Sequence, residues 1–145
     1  MNSLEQAISD GWGWAVQAPV VVIDTNAFGN AIVCDATGRY HRIIPEDLAC
    51  TFLTADDSEL QRIRESEEFQ TDWAMQPLLR ESERVHGPLA PGQCYSLATP
   101  SVLGGAYSVE NVRKITMTDW LGGAGSLARQ IQGLPDGSKV VINAR

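Results

Sequence analysis

A chain of 145 residues, 43% hydrophobic and 20% charged, is long enough to bury one hydrophobic core and too apolar to be disordered over any long stretch. Eleven basic residues against eighteen acidic ones give a net charge of −7, which opposes contact with phosphate backbones and anionic lipid and suits a basic protein as partner. The opening MNSLEQAISDGW lacks the positive and apolar regions of a secretory signal, and no apolar run approaches the ~20 residues of a bilayer span, so a single cytoplasmic domain over residues 1–145 is expected.

Leu4, Ala7 and Ile8 recur at helical spacing behind Ser3, a capping residue type, and predict an opening helix over residues 3–9. Asp10-Gly11 breaks that pattern, and Trp12, Trp14 and Val16 alternate in the manner of a half-buried strand that Pro19 interrupts. Val20 to Ile23, Ala31 to Cys34 and Tyr40 to Ile44 are β-prone runs. They are separated by the turn clusters Asp24-Thr25-Asn26 with Gly29-Asn30, and Asp35-Ala36-Thr37-Gly38, which predicts an antiparallel meander. Pro45-Glu46-Asp47 reads as the entry to a one-turn helix, with acids where the helix dipole favours them.

From Asp56 to about Leu79, the side chains of Leu60, Ile63, Phe69, Trp73 and Leu78 gather towards one helical face and predict the longest helix, bent or ended by Pro77. Rigid turn material from Gly87 to Gly92 leads into a strand at Gln93 to Leu97. Leu103-Gly104-Gly105 follows as a loop, and Val109 to Met117 as a further strand. Asp119 is placed to cap a last amphipathic helix carrying Trp120, Leu121, Leu127 and Ile131, and Lys139 to Ile142 forms a final strand. Strands and helices are grouped rather than strictly alternating, which indicates an α+β fold: an antiparallel β-sheet meander packed with a few helices in a single compact domain.

Motifs that carry chemistry are sparse. Gly123-Ala124-Gly125-Ser126-Leu127-Ala128 has the letters of a dinucleotide fingerprint, but it does not emerge directly from a strand and no acid follows about 20 residues later to hold a ribose; close helix packing accounts for its small residues better. His41 and His86 belong to no metal or protease pattern and read as structural or solvent-facing. Cys34, Cys50 and Cys94 form no C-x-x-C pair and read as free buried thiols. Neither a nucleophile elbow, a phosphate-binding loop nor a calcium loop is present. No catalytic residue, metal or cofactor is expected of this chain. Gly29 and the Gly104-Gly105 pair read as positions needing positive φ or close backbone approach.

The acidic run Asp56, Asp57, Glu59, Glu65, Glu67, Glu68 and Asp72 has only Arg62 and Arg64 as local counter-charges. It can be a solvated helix surface or a docking face for a basic protein, where rim charges steer encounter and aromatic side chains anchor the complex. For the docking face, the candidate partner-binding residues are Asp56, Asp57, Glu59, Glu65, Glu67 and Glu68, with Phe69 and Trp73 as anchors; a neutral surface made by the sheet is the alternative location.

A succession of blocks adds a further reading. Leu89-Ala90-Pro91-Gly92-Gln93-Cys94-Tyr95-Ser96-Leu97-Ala98-Thr99-Pro100, then Leu103-Gly104-Gly105, then Ser108-Val109-Glu110-Asn111-Val112-Arg113-Lys114-Ile115 resembles a bacterial family of type VI secretion immunity domains related to GAD-like domain proteins. Trp12-Gly13-Trp14, Asn26-Ala27-Phe28-Gly29-Asn30 and Asp35-Ala36-Thr37-Gly38 are similar to that family's opening strands and turn, so the likeness spans about residues 11–131. The chain departs from it at Ser96-Leu97, where Gly-Phe is usual, and at Gly122, Gly123 and Gly125, where leucine is commoner. The resemblance implies a cytoplasmic immunity protein that binds a cognate effector toxin, commonly a DNase with a basic surface, and inhibits it by stoichiometric occlusion. A protein-interaction or scaffold domain with a non-toxin partner is the alternative, and a small enzyme using scattered carboxylates is a third.

Overall fold

A computed structural model describes residues 1–134; the strand expected at Lys139 to Ile142 lies outside them. The first helix, α1 (Ser3–Trp12), is capped one residue ahead of Ser3, because Asn2 and Glu5 form a reciprocal capping box: the Asn2 side chain accepts from the Glu5 amide at 2.8 Å and the Glu5 carboxylate from the Asn2 amide at 3.1 Å. The strand expected at Trp12 to Val16 is not formed. Trp12 ends the helix and Trp14 sits in the turn behind it; Trp12 and Val16 are also four residues apart, a spacing that suits one helical face equally well. Trp12 is fully buried and donates to the Leu121 carbonyl at 2.9 Å, while Trp14 stacks on it and donates to the carbonyls of Gly11 and Gly125.

The expected meander is present and has a fourth strand. β1 (Val21–Thr25), β2 (Ala31–Cys34), β3 (Tyr40–Ile44) and β4 (Ala49–Thr54) pair antiparallel in sequence order. Between β3 and β4 the Pro45–Asp47 3-10 turn closes on Leu48 in the left-handed region, φ 50. Pairing of Val22 with Val33, Ala31 with Ile43, and Ile43 with Cys50 builds one apolar face of the sheet. That face packs on α1 and on the last helix, α5 (Met117–Ile131), through Ile8, Trp12, Leu121, Ala124 and Ala128. Burying a side chain the size of Ile8 or Leu121 contributes roughly 1.5–3 kcal/mol.

The two helices meet at glycines. A Cβ on Gly125 would stand 2.5 Å from the Gly11 carbonyl, and one on Gly11 would stand 2.6 Å from the carbonyl oxygen of Gly122, so the fingerprint-like run is a helix-packing stripe. α5 begins at Met117 with Thr116 at its cap; Asp119 lies in the first turn, where it favours the dipole without capping.

The single long helix expected from Asp56 to Leu79 is three: α2 (Asp57–Glu65), α3 (Glu67–Ala74) and α4 (Leu78–His86). Ser66 takes an extended conformation, ends α2, and accepts from the Phe69 amide at 3.2 Å to cap α3. Met75 then turns left-handed, φ 50, and Pro77 starts α4. A second sheet, β5 (Gln93–Leu97) with β6 (Val112–Thr116), is antiparallel. With Phe28 it supplies a smaller core of Tyr95, Leu97 and Val112, packed against Met75, Leu78, Leu79 and Leu89. β6 starts three residues later than expected because Val109–Asn111 is a 3-10 turn. The Asn111 side chain holds the loop ahead of it, donating to the carbonyls of Thr99 and Ala106 and accepting from the Thr99 amide.

Gly29 and Gly105 meet the expected need for glycine. Gly29 has φ +74 and a Cβ there would reach the Trp120 ring at 2.8 Å; at Gly105 it would stand 1.7 Å from the Thr99 carbonyl oxygen.

Candidate functional site

The second face of the meander carries Ile32, Arg42 and Thr51 in one cross-strand row. Alternation along β3 turns Arg42 into this face, where only 8% of it is exposed. A guanidinium so placed needs partners on every side. One nitrogen donates to Asp72 of α3 at 2.5 Å, and two others reach the Asn30 side-chain oxygen at 2.9 and 3.3 Å. Phe69 and Trp73, stacked on each other at 5.5 Å, lie beneath it at 5.5 and 5.1 Å, within cation-π range.

The network continues inward. The Asn30 amide nitrogen donates to both carboxyl oxygens of Glu46, at 2.7 and 3.0 Å. Glu46 is 2% exposed, and burial pushes its carboxyl up to about 7 against the opposing effects of Asn30 and Arg42. Asn26 orders the approach: its oxygen accepts from the amides of Phe28 and Asn30, and its nitrogen donates to the Trp73 carbonyl at 3.0 Å, tying the β1–β2 loop to α3. Next to Glu46, Asp47 accepts from the Ser101 hydroxyl at 2.5 Å and from the Tyr107 phenol.

Two grooves open on either side of the Arg42–Asp72 pair. The first, about 480 Å³, lies between the Pro45–Asp47 turn, the α3–α4 junction and Tyr107. The second, about 700 Å³, lies over α2 and α3 and is lined by Glu59, Arg62, Glu68 and Phe69. A third recess of about 430 Å³ is bordered by Asp57, Arg64 and Glu65.

The acidic candidates thus fall into distinct positions. Glu59 and Glu68 share the second groove with Phe69; Glu59 is paired with Arg62. Asp56 caps α2 by accepting from the Glu59 amide at 2.9 Å. Asp57 accepts from the Tyr40 phenol at 2.5 Å and, chiefly through that bond, holds it up at about 12. Glu65 accepts from Gln61, whereas Glu67 and Glu68 occupy the first turn of α3 and have no basic partner among the described residues. Arg64 is drawn away to Asp24. Phe69 and Trp73 are half-buried against Arg42, so they support a buried cation as well as bordering the face.

Arg42, Asn30, Glu46, Asp47 and Tyr107 were not among the sequence candidates. Arg42 is a lone base in a strand beside Ile43 and Ile44, a pattern that hints at a paired buried charge, but its partner Asp72 lies thirty residues on.

The remaining titratable clusters serve the fold. Asp35 accepts from Thr37, Arg39 and His41, and these bonds overcome the effect of burial and pull its carboxyl well below the usual range. His86 contacts the Val109 carbonyl at 2.9 Å. Burial pushes the Cys50 and Cys94 thiols up to about 11 and about 12, and all three cysteines are free. Among the described residues, no group of three His, Cys, Asp or Glu side chains is placed to hold a metal ion, and no helix is long and apolar enough to cross a membrane.

Residues 57–127, which begin at α2 and end within α5, match the family described as T6SS immunity protein Tdi1, C-terminal. No curated protein matches the chain. The crystal structure of Atu4351 from Agrobacterium tumefaciens is similar over 85% of this chain, with a TM-score of 0.60 and 17% sequence identity, and this chain spans 62% of that one. At that identity the likeness concerns the fold.

Proposed function

We propose that this chain, whose residues 57–127 match the type VI secretion immunity proteins of the Tdi1 C-terminal family, binds a cognate effector toxin in the cytoplasm and neutralises it by stoichiometric occlusion, performing no reaction itself. The family match carries this reading, and its span includes both α2 and α3 with their acidic face. The proposed contact surface is that face, Asp56, Asp57, Glu59, Glu65, Glu67 and Glu68, with Phe69 and Trp73 at its apolar centre.

The proposed partner is a nuclease domain, most simply a DNase. Such an enzyme must present a basic groove to its substrate. A chain of net charge −7 that concentrates carboxylates on one pair of helices has the complementary field. An inhibitor of this kind needs neither a metal nor a cofactor of its own and has no call to touch nucleic acid or membrane.

Co-expression tests the proposal. The effector encoded beside this chain, produced alone in a bacterial host, should arrest growth and degrade DNA, and co-production of this chain should restore both growth and intact DNA. Continued killing in the presence of folded, abundant immunity protein would contradict it.

A further inference from the structure

We infer that the groove between the Pro45–Asp47 turn, the α3–α4 junction and Tyr107 is a socket for one lysine or arginine side chain of the protein partner. This inference rests on the immunity reading for the nature of the partner, but the chemistry of the socket comes from its walls. Ile44, Met75, Pro77 and Leu78 line it with apolar surface on which the methylene stem of a long basic side chain can lie. Glu46, Asp47 and Asp72 line it with three carboxylates against the single guanidinium of Arg42, an imbalance of two negative charges when all are ionised.

Arg42 does not fill the role itself. Its guanidinium lies over the rings of Phe69 and Trp73, and its nitrogens are committed to Asp72 and Asn30. Glu46 is the under-served group: among the described residues its carboxyl is met by the one Asn30 nitrogen and its own backbone amide and is salt-bridged to no cation, whereas an ionised carboxylate has about four acceptor positions. A buried carboxylate in that condition gains most from a charge-assisted donor arriving from outside. An anionic or purely apolar occupant would leave it uncompensated.

Occupancy should be linked to ionisation of Glu46. Among the described residues, the groups around it are Asn30 before β2, Arg42 on β3, Asp47 on its own turn, Asp72 on α3, Cys94 on β5 and Tyr107 on the loop before β6. Only Arg42 among them carries a positive charge, so an entering cation favours the ionised form and expels a proton. With the free carboxyl at about 7, binding should tighten by up to about tenfold from about pH 6 to about pH 8.

The test is an amide chemical-shift titration of the intact chain with Nα-acetyl-argininamide, using Nα-acetyl-leucinamide as control. Saturable shifts in the millimolar range are expected at Arg42, Asp47, Met75, Gln76 and Tyr107. Glu46→Gln and, separately, Asp47→Asn should weaken them at least fivefold, while Asp10→Asn, an exposed position on α1 away from the groove, should leave them unchanged. The two groove variants guard against a folding defect in either one, and dispersion of the spectrum reports that defect directly. Absence of saturation, equal shifts with the leucine control, or shifts centred on Glu65 to Glu68 would overturn the socket. Rescue by co-expression is a separate readout: rescue without groove binding sinks the socket alone, and groove binding without rescue sinks the immunity reading.

Discussion

Glu46 is a buried acid whose carboxyl sits at about 7 rather than the ordinary 4.5 because it has lost water. Between those values the folded chain keeps a proton that the unfolded chain has released, so stability falls as pH rises across that window. The penalty, once complete, is on the order of 3 kcal/mol. Urea unfolding at about pH 5 and about pH 8 should show this loss in the native chain and a flatter profile in Glu46→Gln. Asp35 has the opposite sign: its carboxyl is depressed, so its contribution is complete above the ordinary 3.8 and lost as pH falls through the folded value. Asp35→Ala, which strips partners from Thr37, Arg39 and His41, should cost about 1–3 kcal/mol at neutral pH, with the deficit shrinking in acid. At this scale the sequence showed the outer acids of the candidate face and hid the inner ones. Glu46 and Asp47 read as ordinary first-turn acids, since nothing local marks Asn30 and Arg42 as the partners that converge on this network through sheet pairing.

The packing of α1 on α5 turns on backbone proximity, and glycines on one helix therefore differ sharply in what they tolerate. Gly125→Ala would place a methyl 2.5 Å from the Gly11 carbonyl and 2.7 Å from the Trp12 ring, and the helices must part to admit it, at a cost of about 1–3 kcal/mol or more. Gly123→Ala meets nothing within 4 Å on the exposed side of the same helix, and should stabilise by about 0.5–1 kcal/mol through helix propensity. Thermal unfolding of the two variants checks both signs. The stripe, the meander and the β5 strand were readable from spacing and turn chemistry. Three features were not. Trp12 and Val16 fit two periods at once; Ser66 ends one helix and caps the next inside a continuous apolar pattern; and β4 is an edge strand whose Thr51 and Phe52 are both exposed, which erases the alternation that marks a half-buried strand.

Across the whole molecule, carboxylates are concentrated on α2 and α3 while two of the nearby bases are turned to other tasks, Arg64 to Asp24 and Arg42 into the sheet. A field of this kind acts mainly on encounter. Raising salt from about 0.05 to about 0.5 M should slow association with a basic effector by about tenfold or more and change dissociation little, because exposed charges are screened beyond a Debye length while the apolar contact is not. Stopped-flow measurement of both rates checks this. The family match over residues 57–127 and the sequence resemblance support the proposed immunity role, and the four-stranded sheet carries α2 directly after β4.

Calorimetric titration of the purified chain against its cognate effector, rendered inactive for safety, tests the central claim most directly. The account predicts one-to-one binding that the double reversal Glu67→Lys with Glu68→Lys weakens by about tenfold or more. No heat of binding, or full affinity in the reversed variant, would contradict it.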